Sequence, residues 1–496
     1  MFRKLSIGSI LMLCLLSLTA QNNEPHPCGT HLGVSNWLRG FQNRMASTAR
    51  SDELLYLPMQ IHIVGTDEGA GYMNVRTVMQ SFCNLNKDFL PTNIQFYLAN
   101  DLNYINNTSW YDHENYFPTG SQMMSTNNVP NAINCYIVES PAGNCGYYAP
   151  FDDAIALNKG CTQPDDHTWA HEVGHYLSLP HPFSGLEGED LDFDEALPAI
   201  VAGSFVELVD RSNCQFAGDG FCDTEADYLN FRWSCNTESI SNQIQIDPNG
   251  TSFQSDGTLY MSYSNASCKS RFSDEQTLAM RANVEEQRPN LITPIADIND
   301  FDIDDELETL TVISPLEDEL VNTPTVRLEW EAVENATRYI VQVSRIASFP
   351  TAVSDFFTTN NTFVDFSDMF ADRTYYWRVF PFSEYDTCLG FLDRQRFETG
   401  EGVVNATDLL AGEIARILPN PGSPARATTL FIESRASGAS NWRVYNVQGQ
   451  TLLGAEFQAV VGEQNLTLPT QSLPAGVYLV ELTLNGRRNV QKLVLN

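Results

Sequence analysis

Apolar and polar positions along this chain change rhythm several times, and each change predicts a different kind of element. An apolar run from Ile7 to Leu18 follows the basic Arg3 and Lys4 and ends at Thr19-Ala20-Gln21. It is too short to cross a bilayer and has a small-residue exit, so residues 1–20 read as a signal peptide. Residues 21–50 are polar and lack apolar periodicity, which suits a propeptide. At Leu57-Pro58-Met59-Gln60-Ile61-His62-Ile63-Val64 the pattern turns strand-like and opens a cysteine-rich unit over 51–292. An acidic stretch, Asp297 to Glu306, marks a linker over 293–308. Period-2 alternation then returns in Val326/Leu328/Trp330, Tyr339/Val341/Val343 and Tyr375/Trp377/Val379, predicting a β-sandwich over 309–399 with the aromatics as core. After a linker at 400–412, the last segment, 413–496, reads as another small all-β unit. The expected fold class is multidomain: an α+β domain, a mixed sheet plus helix, followed by two all-β sandwich domains.

Composition narrows the class of partner. The 496 residues carry 28 basic and 62 acidic side chains, a formal charge of −34. Such a surface repels nucleic acid and anionic membranes and leaves many carboxylates for calcium. No segment after the signal approaches membrane-spanning length, so no membrane span is expected. Export permits disulfides. Eleven cysteines include Cys14 in the signal. Eight of the others, Cys83, Cys135, Cys145, Cys161, Cys214, Cys222, Cys235 and Cys268, fall in the catalytic unit, an even number able to close among themselves. Cys28 and Cys388 stand apart from them.

The chemistry sits in Thr168-Trp-Ala-His171-Glu172-Val-Gly-His175-Tyr-Leu-Ser-Leu-Pro-His181. Residues four apart on a helix are offset by only ~40° and ~6 Å along the axis, so His171 and His175 can share one metal ion. Glu172 stands beside the first ligand, where a general base is needed. Zinc with three protein ligands keeps an open position and lowers the pKa of its water to ~7. His181 lies too far along to reach the metal if the helix continued. Pro180 opposes that continuation. A turn after Ser178 would swing His181 back as the third ligand.

This spacing resembles the metzincin metallopeptidases, with Ser178 where that family has glycine. The resemblance implies a methionine turn beneath the metal, and Leu259-Tyr260-Met261-Ser262-Tyr263 fits it, with Met261 as the floor. Tyr263 becomes a candidate hydrogen-bond donor to the metal site or to the oxyanion. More closely, residues 57–290 resemble the pappalysin family. The matching pieces are Leu-Pro-Met-Gln-Ile-His-Ile, Cys145-Gly-Tyr-Tyr-Ala-Pro, the zinc helix, Gly218-Asp-Gly-Phe-Cys222-Asp-Thr224, and Met261-Ser-Tyr263 followed by Cys268. That resemblance implies a Cys235–Cys268 bridge and calcium near Asp219 and Asp223. Members that cut before arginine carry an acid between the tyrosine and the cysteine. This chain has Ser264-Asn-Ala-Ser267.

Two further resemblances cover the rest. Trp330, Tyr339 and the strand Tyr375-Tyr-Trp-Arg-Val379 resemble a fibronectin type III domain. Leu418-Pro-Asn-Pro421, Val444 to Gly449, Leu473-Pro-Ala-Gly-Val-Tyr478 and Lys492-Leu-Val494 resemble the sorting domain of type IX secretion. It implies export by that machinery to the outside or cell surface of a Gram-negative bacterium. Within the propeptide, Cys28 in His26-Pro27-Cys28-Gly29-Thr30 can either plug the open position on zinc as a thiolate or form a disulfide, for instance with Cys388. A latent zinc endopeptidase acting on proteins or peptides, opened by a cut such as Arg50-Ser51, is the leading expectation. Its rival is an adhesion protein with a vestigial zinc site, and intact Glu172 opposes that rival. A peptidase with a distant glutamate as third ligand is the other alternative, and His181 opposes it.

Overall fold

The computed structural model describes residues 25–30, 33–47, 51, 53–293, 303, 307–321, 325–350, 354–367, 369–400, 414–423, 426–434, 436–446, 450–484 and 487–495. The expected signal peptide, Arg50 of the expected cut and most of both linkers lie outside these residues. The strand-like run at the start of the catalytic unit forms β1 (Leu55–Gly65), buried along almost its whole length. Gln60 and His62 alternate with Met59, Ile61 and Ile63, and the face that carries them is covered too. β1 pairs in parallel with β2 (Ile94–Leu98), β3 (Asn103–Asn106) and β4 (Ile133–Val138). The sheet runs β2-β1-β4-β6-β5, with β5 (Gly146–Ala149) an antiparallel edge strand on β6 (Ala154–Asn158).

Helices cover this sheet. α2 (Val75–Phe89) buries Val78, Met79, Phe82, Leu85 and Phe89, the stripe expected of a helix with one apolar face. α3 (Thr168–Tyr176) and α4 (Asp274–Gln287) join the same core through Val173, Tyr176, Ala279, Met280 and Val284. Ser273 and Gln276 close a reciprocal cap on α4. The segment read as a propeptide without apolar periodicity contains α1 (Asn36–Gln42), whose Leu38 and Phe41 are fully buried in that core. Seven residues are too few to show periodicity in the sequence.

Downstream, the expected sandwich is present. A three-stranded sheet (Val312–Ser314, Val326–Trp330, Phe363–Phe366) faces a five-stranded one containing Arg338–Ser344 and Thr374–Phe382. Trp330, Tyr339, Val341, Trp377 and Val379 pack between them, as the alternation implied. A second sandwich of three and four strands occupies Ile414–Leu418 through Arg487–Leu495.

The cysteines correct one expectation. Cys145–Cys161, Cys214–Cys222 and Cys235–Cys268 are bridged, but the catalytic set does not close on itself. Cys83 on α2 instead joins Cys388, 305 residues away. The first sandwich docks on β2 and α2, with Tyr97 stacked on Tyr385, Arg338 paired with Asp101 at 2.7 Å, and Ile340, Phe380 and Phe382 in the catalytic core. Docking carries Cys388 to Cys83, while Cys135 stays buried and free on β4, and Cys28 is free as well.

His62 on β1 gives the fold a pH limit. Its Nδ1 accepts from Asn103 Nδ2 at 2.8 Å and its Nε2 donates to Asn134 Oδ1 at 3.1 Å, which only a neutral ring can do. Burial lowers its pKa to about 4 from the usual 6.5. The unfolded chain therefore binds more protons between those values, and stability falls as pH drops from about 6.5 toward 4. In thermal melts at pH 7 and pH 4.5, His62→Gln should show a smaller acid-induced loss than wild type; an equal loss would rule His62 out as the source.

Candidate metal centre

The helix α3 ends at Tyr176, and Ser178 follows in a left-handed conformation with φ of 80°. The N–H of Ser178 donates to His175 O, and that of Leu179 to Gly174 O, both at 2.9 Å. This tight reversal replaces helix continuation and brings His181 back beside His171 and His175. All three imidazoles are buried. Each is oriented through Nδ1: His171 toward Tyr260 O at 2.8 Å, His175 toward Leu179 O at 2.7 Å, and His181 toward Glu187 Oε1 at 3.2 Å. An acceptor at Nδ1 puts the proton there and leaves Nε2 as a lone pair.

Those lone pairs converge. His175 Nε2 stands 3.1 Å from Nε2 of His171 and of His181, and 3.5 Å from Cys28 Sγ. Tetrahedral donors around one zinc ion at ordinary bond lengths lie ~3.3 Å apart for two nitrogens and ~3.6 Å for nitrogen and sulfur. Three imidazole nitrogens and one sulfur, all within 4.8 Å of one another, are a donor set that suits zinc. Burial holds His171 well below the usual histidine range, so its ring is neutral as a ligand must be.

Around this cluster the structure brings together the remaining sequence candidates. Glu172 is wholly buried, its Oε1 unbonded and its Oε2 accepting from Thr30 Oγ1 at 3.2 Å. Burial pushes its pKa up to about 8. A Cβ on Gly146 of β5 would stand 2.7 Å from Glu172 Cγ, so this glycine lets the carboxylate lie against the edge strand. Met261 is buried beneath α3, where a Cβ on Gly174 would collide with its Sδ. Tyr263 donates from its hydroxyl to Cys28 O at 3.3 Å, its ring 4.8 Å from that of His181.

Cys28 arrives on a strand-like segment that adds to β5. Cys145 N donates to His26 O at 2.7 Å, Gly29 N to Gly146 O at 2.8 Å, and Tyr148 N to Thr30 Oγ1 at 2.7 Å. The Thr30 N–H donates to Cys28 Sγ at 3.2 Å. Residues 26–30 thus cover the metal cluster, the carboxylate and the sheet edge together.

The acids near 219 fall differently from expectation. Asp219 is buried, its Oδ1 accepting from Phe221 N and Thr224 Oγ1, its Oδ2 without a hydrogen-bond partner. Glu207 is buried against it with neither oxygen bonded. Burial raises both carboxyls, Glu207 to about 9 with the charge of Asp219 adding to it, and Asp219 to about 8 with the charge of Asp223 adding to it. Asp223 accepts from Ser273 Oγ at 2.7 Å and Glu275 N at 2.8 Å, which ties both its oxygens to the start of α4. Sequence reasoning missed Glu207, Glu187, Thr30 and the Tyr260 carbonyl. Only Thr30, two residues from Cys28, and Glu187, six from His181, had proximity as a signal.

Ser178 holds a conformation that costs an L-residue about 1 kcal/mol or more, and its buried hydroxyl is unpartnered. Ser178→Gly should raise the melting temperature with zinc content unchanged. A lower melting temperature would show that Ser178 adds something a glycine cannot.

The chain is similar to known proteins over parts of its length. Residues 416–496 match the model of the secretion system C-terminal sorting domain. An extracellular metalloprotease of Pyricularia oryzae is 26% identical over 254 residues, which are 47% of this chain and 76% of that protein. One of Verticillium alfalfae is 24% identical over 278 residues, 50% of this chain and 84% of that one. A promirolysin mutant from Tannerella forsythia aligns with 54% of this chain and 100% of its own, at 17% identity and a TM-score of 0.36. The chain is therefore a secreted protein that is similar to extracellular metalloproteases over about half its length and ends in a secretion-system sorting domain.

Proposed function

We propose that this chain is a zinc-dependent endopeptidase of the pappalysin-like metzincin type, exported in a latent form. The observation that carries the reading is the convergence of three imidazole Nε2 atoms and one sulfur beside a buried, half-unbonded carboxylate. His171, His175 and His181 would hold zinc, which supplies Lewis-acid chemistry to a carbonyl and to water when bound. The remaining steps belong to the chain. The edge of β5, vacated by residues 26–30, binds an extended substrate through its backbone groups. Glu172 takes a proton from the attacking water at Oε1 and delivers it to the departing amine. Tyr263, which donates to a peptide carbonyl in the latent form, donates to the substrate oxygen as negative charge develops. Met261 packs the floor under α3.

Latency follows from Cys28 and Thr30 together: one covers the metal cluster and the other ties up Glu172. Proteins or peptides are the substrates, and with no acid between Tyr263 and Cys268 a requirement for a basic residue is not part of the reading. The C-terminal unit is the handle for type IX export in a Gram-negative bacterium. A binding protein with a vestigial site would have no use for a buried carboxylate at the centre with one oxygen left unbonded, because burying one costs free energy.

The test is cleavage of a denatured protein by the processed enzyme. Glu172→Ala should lower kcat/KM by about 10²-fold or more, and a zinc chelator should abolish activity. Cleavage that survives either treatment would sink the mechanism. Cys28→Ala in the unprocessed chain should raise activity over the wild-type proenzyme; unchanged latency would remove the cysteine from the account.

Calcium suits Asp219 with Glu207 better than Asp219 with Asp223, whose oxygens are taken up by α4. Calcium should raise the melting temperature of EGTA-treated wild type and leave that of Asp219→Asn unchanged. An equal rise in both would move the ion elsewhere.

A further inference from the structure

Asp88 is a buried acid, remote in sequence from every residue of the metal centre, that the mechanism leaves unused. It lies in the last turn of α2. Its Oδ1 accepts from the hydroxyl of Tyr260 at 2.9 Å, and its Oδ2 faces His167 Nδ1 at 2.7 Å. Both partners lead straight to one metal ligand. Tyr260 supplies the carbonyl that accepts from His171 Nδ1 at 2.8 Å. His167 immediately precedes α3, and its carbonyl accepts from the His171 N–H at 3.0 Å. The rings of Tyr260 and His167 also pack together, with centroids 5.1 Å apart.

We propose that Asp88 is a positioning residue for the metal centre, clamping Tyr260 and His167 so that His171 presents its Nε2 in a fixed direction. The proposal rests on the zinc reading above. A carboxylate suits the task because both its oxygens accept, so it can hold donors from two separate segments at once. An amide of the same shape accepts on one side only and turns a donor toward the other. The two grips are complementary. The His167 grip fixes the backbone of the first helical turn, and the Tyr260 grip fixes the acceptor that sets the tautomer and plane of the His171 ring. Losing either lets the imidazole tilt, and metal affinity depends steeply on such outer contacts, by 10–100-fold in comparable sites.

The experiment uses the full chain loaded with zinc, and in parallel with cobalt, whose visible absorption reports ligand geometry. Wild type, Asp88→Asn and Tyr260→Phe are compared for the rate of zinc loss to a chromophoric chelator, for the cobalt spectrum and for melting temperature. Tyr260→Phe removes one oxygen and keeps the ring, so it remains folded if Asp88→Asn does not. Zinc loss should be faster by on the order of 10-fold in each variant, with an altered cobalt spectrum. Unchanged zinc loss and an unchanged spectrum in Tyr260→Phe, whatever its melting temperature, would overturn the proposal. A wild-type chain that holds no zinc would instead overturn the reading on which it rests.

Discussion

The catalytic half of this protein depends on one reversal of the chain, the left-handed step at Ser178. Without it α3 would run on, Pro180 would break it somewhere less useful, and His181 would point away from His171 and His175. The same reversal aims the Leu179 carbonyl at His175 Nδ1, so a single backbone conformation both brings His181 to the cluster and orients His175. His171 is oriented by the carbonyl of Tyr260 and His181 by Glu187. Two backbone carbonyls and one carboxylate thus fix three tautomers, and the Nε2 lone pairs face one another.

Much of this was legible in the sequence because it is local. Helical spacing placed His171, Glu172 and His175, and Pro180 demanded a turn before His181. The alternation around Trp330 and Trp377 announced a sandwich core. What stayed hidden depends on pairings across long separations. Glu187 is only six residues from His181 yet is one of many acids there, and the carbonyl of Tyr260 has no side-chain signature at all. Cys83 and Cys388 belong to regions that read as independent units, so the count of cysteines within one unit pointed to a closure that docking overrode. α1 escaped notice because two apolar contacts, Leu38 and Phe41, do not make a pattern.

The covering segment at residues 26–30 shows how one stretch of chain can restrain several functions together. It borrows the hydrogen-bonding edge of β5, sets a sulfur at the imidazole cluster and a hydroxyl on the Glu172 carboxylate. None of these contacts alone is strong in water, but they are made side by side in a buried place, where each is held in register by the next. α1 anchors the far end by burying Leu38 and Phe41 in the catalytic core.

The bond between Cys83 and Cys388 bears on how this molecule can be dismantled. A protease that nicked the chain anywhere between Thr293 and Leu307 would sever the polypeptide without separating the two parts, since a covalent tie and a shared apolar core would remain. The fragments would travel together on a non-reducing gel and part only when thiol is added. Outside the cell, where thiols are scarce, the catalytic unit and its first sandwich are one particle whatever happens to the chain between them.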